Sequence, residues 1–461
     1  MSVSAARAAH AAGVKRLLDS YRAIPPTATV RLAKPTSNLF RARAKSTAKG
    51  LDTSGLTGVI SVDPDARTAD VAGMCTYEDL VAATLPFGLS PLVVPQLKTI
   101  TLGGAVTGLG IESASFRNGL PHESVLEMDI LTGAGEVVTA SPDQHPDLYR
   151  TFPNSYGTLG YSVRLKIELE PVKPFVALRH LRFHTLSDLI TTMERIIETG
   201  GIDGTPVDYL DGVVFSADES YLCVGVKTST PGPVSDYTGK HIYYRSIQHA
   251  DGEKHDRLTI HDYLWRWDTD WFWCSRAFGA QNPRIRRFWP RRYRRSSFYW
   301  KLIGYDQRFD IADRIEARRL RAPARPLHER VVQDVEVPIE RCTDFLDWFL
   351  ATVPIEPIWL CPLRLRGDAG WPLYPIRPHH TYVNVGFWSS VPAGPTEGHT
   401  NRLIEAEVSA LDGHKSLYSD AFYSPDEFEQ LYGGETYKTV KKTYDPDSRL
   451  LDLYAKAVQR R

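Results

Sequence analysis

Apolar and polar positions alternate along several stretches of the chain. Residues 160–169 set Tyr161, Val163, Leu165 and Ile167 on one side, the two-residue period of a half-buried strand. Residues 58–62 read as another strand. Asp63-Pro64-Asp65 then turns the chain, because Asp bonds its own backbone and Pro fixes φ, and residues 67–72 return as the second arm of a hairpin. Residues 127–131, a turn at Gly133-Ala134-Gly135 and residues 137–138 predict a further hairpin. Thr76, with Asp79 three residues on, predicts a helix start that runs to Phe87-Gly88. Residues 11–21 predict a short helix and residues 148–152 a helical turn.

The pattern changes after Pro171. Leu186, Leu189, Ile190, Met193 and Ile197 recur at helical spacing, with Thr185 before them and Gly200 as a stop. Residues 210–215, 222–226, 331–337, 358–365 and 382–387 read as strands, residues 343–349 as a helix, and the tail from 402 as two or three helical pieces. Three regions follow: 1–175, 176–400 and 401–461. The class is α+β.

Composition narrows the picture by exclusion. Of 461 residues, 55 are Lys or Arg and 55 are Asp or Glu, so global charge gives no pull toward nucleic acid. The five cysteines are scattered without metal-like spacing, which points to a reducing compartment. The N-terminal segment lacks a continuous apolar stretch of the kind a secretory signal needs. A cytoplasmic protein is expected, with peripheral contact to the inner face of the cell membrane left open.

The chemistry concentrates in the run from Thr101 to Ser113, with glycines at 103, 104, 108 and 110. Glycines let a backbone approach a pyrophosphate, and successive N–H groups can form an anion nest. Ser113 stands where a GxGxxG fingerprint needs its third glycine, and no GK[ST] follows. A plain packing turn between sheet and helix is the competing account. Ser113, Ser115, Asn118, Gly119, His122 and the Thr158-Leu159-Gly160 segment add neutral donors and close-approach points.

Residues 89–165 resemble the FAD-binding domain of the vanillyl-alcohol oxidase superfamily, also called PCMH-type. The order is an apolar strand, the run at 103–110, Asn118-Gly119, the strand 126–131 and Gly157-Thr158-Leu159-Gly160. Thr101-Leu-Gly-Gly, Gly108-Leu-Gly-Ile-Glu-Ser, Val331-Val-Gln-Asp-Val, Pro357-Ile-Trp-Leu-Cys-Pro, Leu417-Tyr-Ser-Asp and Tyr437-Lys438 extend the likeness to the Δ24-sterol reductase family and its bacterial relatives that reduce methylene-branched fatty acyl groups. The resemblance implies a two-subdomain FAD-binding region over 1–175. It also implies a substrate domain whose antiparallel sheet covers the flavin, and a C-terminal segment that returns to the cofactor. It implies further that Gly103, Gly104, Gly108, Gly110, Ser113, Ser115, Asn118, Gly119, His122, Thr158, Gly160 and Val163 lie along FAD. The loop containing Lys34, Pro35, Thr36, Ser37 and Asn38 should approach the pyrophosphate, and Lys438 the flavin. That loop has no Gly-His pair, so noncovalent FAD is expected, with NADPH or NADH as reductant.

Reduction of an isolated alkene needs hydride at one carbon and a proton at the other. Tyr382, His380, His379, Glu112 and Asp334 are the candidate proton donors. Each also has an ordinary alternative: sheet packing, a turn, or a cap on backbone donors. The expected substrate is a membrane lipid, a methylene-branched acyl chain before a Δ24-sterol. The Ala- and Arg-rich composition tips this choice, since it suits a GC-rich bacterial source. The expected partner is the membrane surface and its lipid, with a methyltransferase supplying that substrate, or a separate reductase, as further alternatives and no nucleic acid. An alcohol oxidase or dehydrogenase and a non-catalytic lipid-binding flavoprotein are the competing functions. Residues 284–301, within a basic-aromatic insertion near 255–305, carry seven arginines, one lysine and six aromatic residues without an acidic one. They suit either a solvated face or a peripheral membrane dock.

Overall fold

The computed structural model describes residues 2–33, 40–41, 50–250, 252–309 and 328–461. The loop from Lys34 to Asn38 lies outside them. Two antiparallel sheets organise the chain. The first holds β1 (Val59–Asp63), β2 (Thr68–Ala72), β3 (Leu89–Pro91), β4 (Val125–Leu131), β5 (Val137–Ala140) and β6 (Tyr161–Pro171). Its order is β1-β2-β6-β4-β5, with β3 also paired to β6. The alternation in β6 buries Val163, Leu165, Ile167 and Leu169 on one face and makes it the strand on which the others assemble.

Between Pro171 and Phe175 the chain crosses to the second sheet. Its members are β7 (Phe175–Phe183), β10 (Tyr209–Ser216), β11 (Glu219–Thr228), β12 (Glu253–Thr259), β13 (His328–Pro338), β14 (Ile358–Leu363), β15 (Tyr382–Pro392) and β16 (His414–Lys415), and β8 (Gly201–Ile202) with β9 (Thr205–Pro206) form a small separate hairpin. The order is β12-β7-β11-β10-β14-β15-β13-β16. Period-two alternation gives this sheet two unlike faces. Val383, Val385 and Phe387 of β15 join Ile358 and Leu360 of β14 in a core with the helices Leu186–Thr199, Cys342–Thr352 and His399–Ala410. Tyr382, Asn384, Gly386 and Trp388 occupy the opposite face, toward the first sheet.

Local signals account for most helix ends. The Thr76 hydroxyl accepts from Asp79 N at 3.1 Å, and Thr185 does the same for Asp188. Gly200 takes φ +67° after the helix it ends. The first helix, expected over 11–21, runs Val3–Arg22 because Ser2 caps it and its early turns are alanine-rich.

The glycine-rich run departs from the expected nest-forming loop. Leu102–Thr107 is a short helix, with the Thr101 hydroxyl accepting from Gly104 N at 3.2 Å. Gly103 is there for packing: a Cβ would fall 2.5 Å from the Gly73 carbonyl and 3.0 Å from Ser162 Oγ. Gly103→Ala is therefore expected to lower stability by about 1–3 kcal/mol through overpacking. A shift in the urea midpoint at unchanged slope checks this.

Candidate active site

A cavity of about 1550 Å³ lies between the glycine-bearing helix and the polar-aromatic face of the second sheet. Ligand pockets ordinarily span roughly 300–1,000 Å³. This one has room for an extended dinucleotide and a second molecule. One wall is backbone-rich, built from Gly103, Gly104, Gly108 and Gly110. It is held by Tyr156 N to Thr107 O at 2.6 Å, by Asn154 Nδ2 to Gly108 O, and by Gln96 Nε2 to Ile111 O at 2.6 Å. The facing wall is aromatic. Phe272 stacks on Trp388 with ring centres 4.4 Å apart and meets Trp359 edge-on at 5.4 Å.

Asp334 of β13 opens onto this cavity and is otherwise enclosed. It faces Gly386 across the ladder, where a Cβ would come 2.5 Å from Asp334 Oδ1. The missing side chain is what gives the carboxyl its space. Asn384 Nδ2 donates to Asp334 Oδ1 at 3.1 Å, and the Tyr418 hydroxyl also bonds it. Trp388 Nε1 in turn donates to Tyr418 at 2.9 Å. Burial pushes the Asp334 carboxyl up to about 6, and the Asn384 and Tyr418 bonds only partly oppose it. Tyr418 is pushed up by the same burial and stays a neutral hydroxyl. The result is a carboxylic acid that can hold a proton near neutral pH, supported by an ordered polar chain.

The Tyr418 segment is clasped from the first sheet's side. The Tyr418 carbonyl accepts from Phe40 N at 2.9 Å, the Leu417 carbonyl accepts from Arg41 Nη1 at 2.6 Å, and Leu417 N donates to Tyr156 Oη at 2.8 Å. The C-terminal segment also reaches the cavity through Leu451, Lys456 and Arg461.

The other expected site residues have different positions. Glu112 lies outside the cavity lining, in a buried cluster where Arg266 Nη2 meets Glu112 Oε1 and Asp211 Oδ2, each at 2.8 Å. Burial pushes the Glu112 carboxyl up, against the pull of Arg266. Ser113 Oγ donates to Glu112 at 2.7 Å, and Ser115 Oγ accepts from Glu112 N at 3.1 Å. Asn118 donates to Leu92 O and Glu170. Gly119 has φ +67° and abuts Glu123. His122 is wholly buried edge-on to Trp371, and burial lowers its pKa to about 3. Val163 is a core residue, and Gly160 at φ +140° clears the Leu131 carbonyl. None of these lines the cavity.

Tyr382 shares the Asp334 face of β15 but pairs with Pro338, four residues from Asp334 and so about 13 Å along the ladder. Its hydroxyl accepts from Arg377 N and Nε, both at 3.3 Å. His380 pairs with Glu340 at 3.1 Å and His379 with Asp368 at 3.0 Å, both away from the cavity. Lys438 is exposed and bound to Glu429 and Glu435.

One helical turn on, Lys441 makes the inward contact. Its Nζ donates to the Thr158 carbonyl at 2.8 Å, Asp445 at 2.6 Å and the Leu450 carbonyl at 2.9 Å. Lys441→Met is expected to loosen residues 445–461 and speed loss of bound flavin, leaving the aromatic wall intact. Hydrogen exchange in that segment, with flavin retention on desalting, checks this.

Several lining groups escaped the sequence reading. Trp388 continues the Tyr382-Asn384-Gly386 alternation by one more step. Tyr418 lies within the Leu417-Tyr-Ser-Asp block. Tyr156 and Arg41 gave no local signal, since their role depends on contacts hundreds of residues away.

The residues present fit FAD. The Ser162 hydroxyl lines the cavity and has no protein partner. Gly104, Gly108 and Gly110 present backbone to the cavity, and Arg41 and Lys456 bring cations to its lining. The Cys274 thiol in the lining is pushed up to about 12 by burial, which favours its neutral form.

Residues 29–141 match the family described as an FAD binding domain. The chain is 23% identical over 435 residues to a Delta(24)-sterol reductase homolog of Caenorhabditis elegans, covering 89% of this chain and 79% of that protein. It is 25% identical over 414 residues to the Delta(24)-sterol reductase of Rattus norvegicus, covering 87% and 76%. The Arabidopsis thaliana Delta(24)-sterol reductase is 24% identical over 445 residues, covering 88% and 76%. Fold, cavity and match together define an FAD-binding oxidoreductase with a PCMH-type FAD domain and an added antiparallel sheet. The chain is related to the Δ24-sterol reductase family at modest identity.

Proposed function

We propose that the protein reduces an isolated carbon–carbon double bond in a lipid, with Asp334 delivering the proton. The observation that carries this reading is a carboxyl raised to about 6 at the meeting of the glycine wall and an apolar aromatic wall. Bound FAD supplies two-electron redox chemistry at that place. The aromatic wall of Phe272, Trp359 and Trp388 orients an apolar chain and excludes water. Asp334 holds the proton and gives it to one alkene carbon as hydride arrives at the other. Tyr418 and Asn384 fix the carboxyl's direction. Residues 1–175 hold the cofactor, 176–400 present the lipid, and 401–461 close the site. NADPH or NADH supplies the electrons.

The relatives named as Delta(24)-sterol reductases favour a sterol side-chain alkene. This reverses the sequence-based preference for a methylene-branched acyl chain, which none of the three relatives named above carries in its description. The acyl reading keeps one favourable observation: Lys301 and Arg330 line the cavity and suit a phosphate-bearing lipid. The experiment is anaerobic reduction by NADPH, then mixing with a Δ24-unsaturated sterol or a methylene-branched phospholipid. Flavin reoxidation and a product two mass units heavier with the sterol are expected. Reoxidation by neither lipid, with ready reaction toward an alcohol or oxygen, would refute the proposal.

A further inference from the structure

The two most exposed large apolar side chains among the described residues, Phe288 at 82% and Tyr305 at 61%, lie in one stretch with Ile285 at 43%. Scattered exposed apolar residues are ordinary, but a group of them set among arginines is not. The stretch comprises the helix Pro283–Phe288, a short turn of helix and the helix Ser296–Phe309.

Its arginines divide into two kinds. Arg286 is buried against Asp270 at 2.6 Å, Arg294 donates to backbone carbonyls at 238, 239, 286 and 289, and Arg295 pairs with Glu78 at 2.7 Å. Those three hold the insertion together. Arg284, Arg287, Arg291 and Arg292 point to solvent. Among the described residues one carboxylate pairs with them: Asp236 meets Arg291 at 3.4 Å, with both side chains more than half exposed, so solvent screens that contact. Ser297, Trp300, Lys301 and Gly304 recur at helical spacing along one face of the second helix and line the cavity. Lys301 is also exposed, so the cavity rim and the patch share one helix.

From this arrangement we infer that residues 284–305 dock the protein on an anionic phospholipid bilayer. Phe288 and Ile285 enter the interfacial region, Arg284, Arg287, Arg291 and Arg292 meet lipid phosphates, and the cavity rim at Lys301 is brought to the membrane surface. The inference does not depend on which lipid is reduced. It concerns binding alone. Among the described residues no helix is long and apolar enough to cross a membrane, so this is surface attachment by side chains.

The test is cosedimentation of the full-length, FAD-loaded protein with vesicles of phosphatidylcholine alone or mixed equally with phosphatidylglycerol. Each arginine at an anionic surface is worth about a fivefold change in partitioning. Wild type is expected to bind the mixed vesicles at least about tenfold more strongly than the neutral ones, with release by salt. Arg291→Glu with Arg292→Glu, and separately Phe288→Ser, should each weaken binding about tenfold or more at unchanged flavin content. Phe288 is so exposed that the substitution leaves the fold alone. Wild type staying in solution with both vesicles, equal binding to both, or variants that bind like wild type would overturn the inference. So would an RNA oligonucleotide that binds more tightly than the mixed vesicles and displaces them.

Discussion

Asp334→Asn is expected to lower turnover of a lipid alkene by about 10²–10⁴-fold while FAD remains bound, the range for loss of a positioned general acid. The substitution keeps the shape and lets Asn384 still donate to the Oδ1 position, so the loss reports the proton. The pH profile follows from the raised carboxyl. Its protonated form predominates below about 6, so kcat/KM should fall as pH rises through that value. Tyr418→Phe separates a chemical role from a structural one. The Tyr418 bond lowers the Asp334 pKa, so its removal should move the falling limb to higher pH. Steady-state rates across pH for wild type and Tyr418→Phe, with flavin content measured in parallel, decide the matter. An Asp334→Asn enzyme with full activity, or a limb that stays in place without Tyr418, would remove Asp334 from the chemistry.

The second large effect concerns stability. Arg266→Met should cost about 3–5 kcal/mol, because it leaves Glu112 and Asp211 buried together without their cation. Arg266 joins three separate pieces of chain: the end of the glycine segment, β10 and the start of the tryptophan-rich insertion. Trp267 and Trp359 also donate to Asp211, at 3.3 and 3.2 Å, so the cluster braces the aromatic wall from behind. Glu112→Gln should be milder, since burial already favours the neutral form of that carboxyl. Adding Glu112→Gln and Asp211→Asn to Arg266→Met should recover part of the loss, as removal of a whole buried charge set is far less costly than removal of one member. Denaturant unfolding followed by tryptophan fluorescence measures these variants. Arg266→Met as stable as wild type would contradict this account of the cluster.

Much of the architecture was legible because the controlling signals are short-ranged. Alternation in β6 and β15, the Thr76 and Thr185 caps and Gly200 all act within a few residues. The FAD-binding region was legible for a different reason: its glycines and their neighbours form a block recognisable as a family likeness. The glycine run itself was misjudged in conformation. A sequence cannot show that Gly103 is needed because Gly73 and Ser162 lie against it. Site assignments fared unevenly on similar grounds. Asp334 lines the cavity, and Gly104, Gly108 and Gly110 share its wall. Tyr382 shares a sheet face with Asp334 but pairs with Pro338, four residues along the ladder, because the register against β13 is set by tertiary pairing. Lys438 and Lys441 are one turn apart on a helix, and only packing decides which of them points inward. Glu112 has the chemistry of an acid but is tied into a salt-bridge cluster by Arg266, 154 residues later.

Trp271, Trp300, Trp359 and Trp388 all line the cavity, so their emission reports what enters it. Flavin-free protein titrated with FAD should lose much of its tryptophan fluorescence by energy transfer, saturating at one FAD per chain. Natively folded protein whose emission shows no saturable change with FAD would contradict the placement of the cofactor on which the proposed chemistry rests.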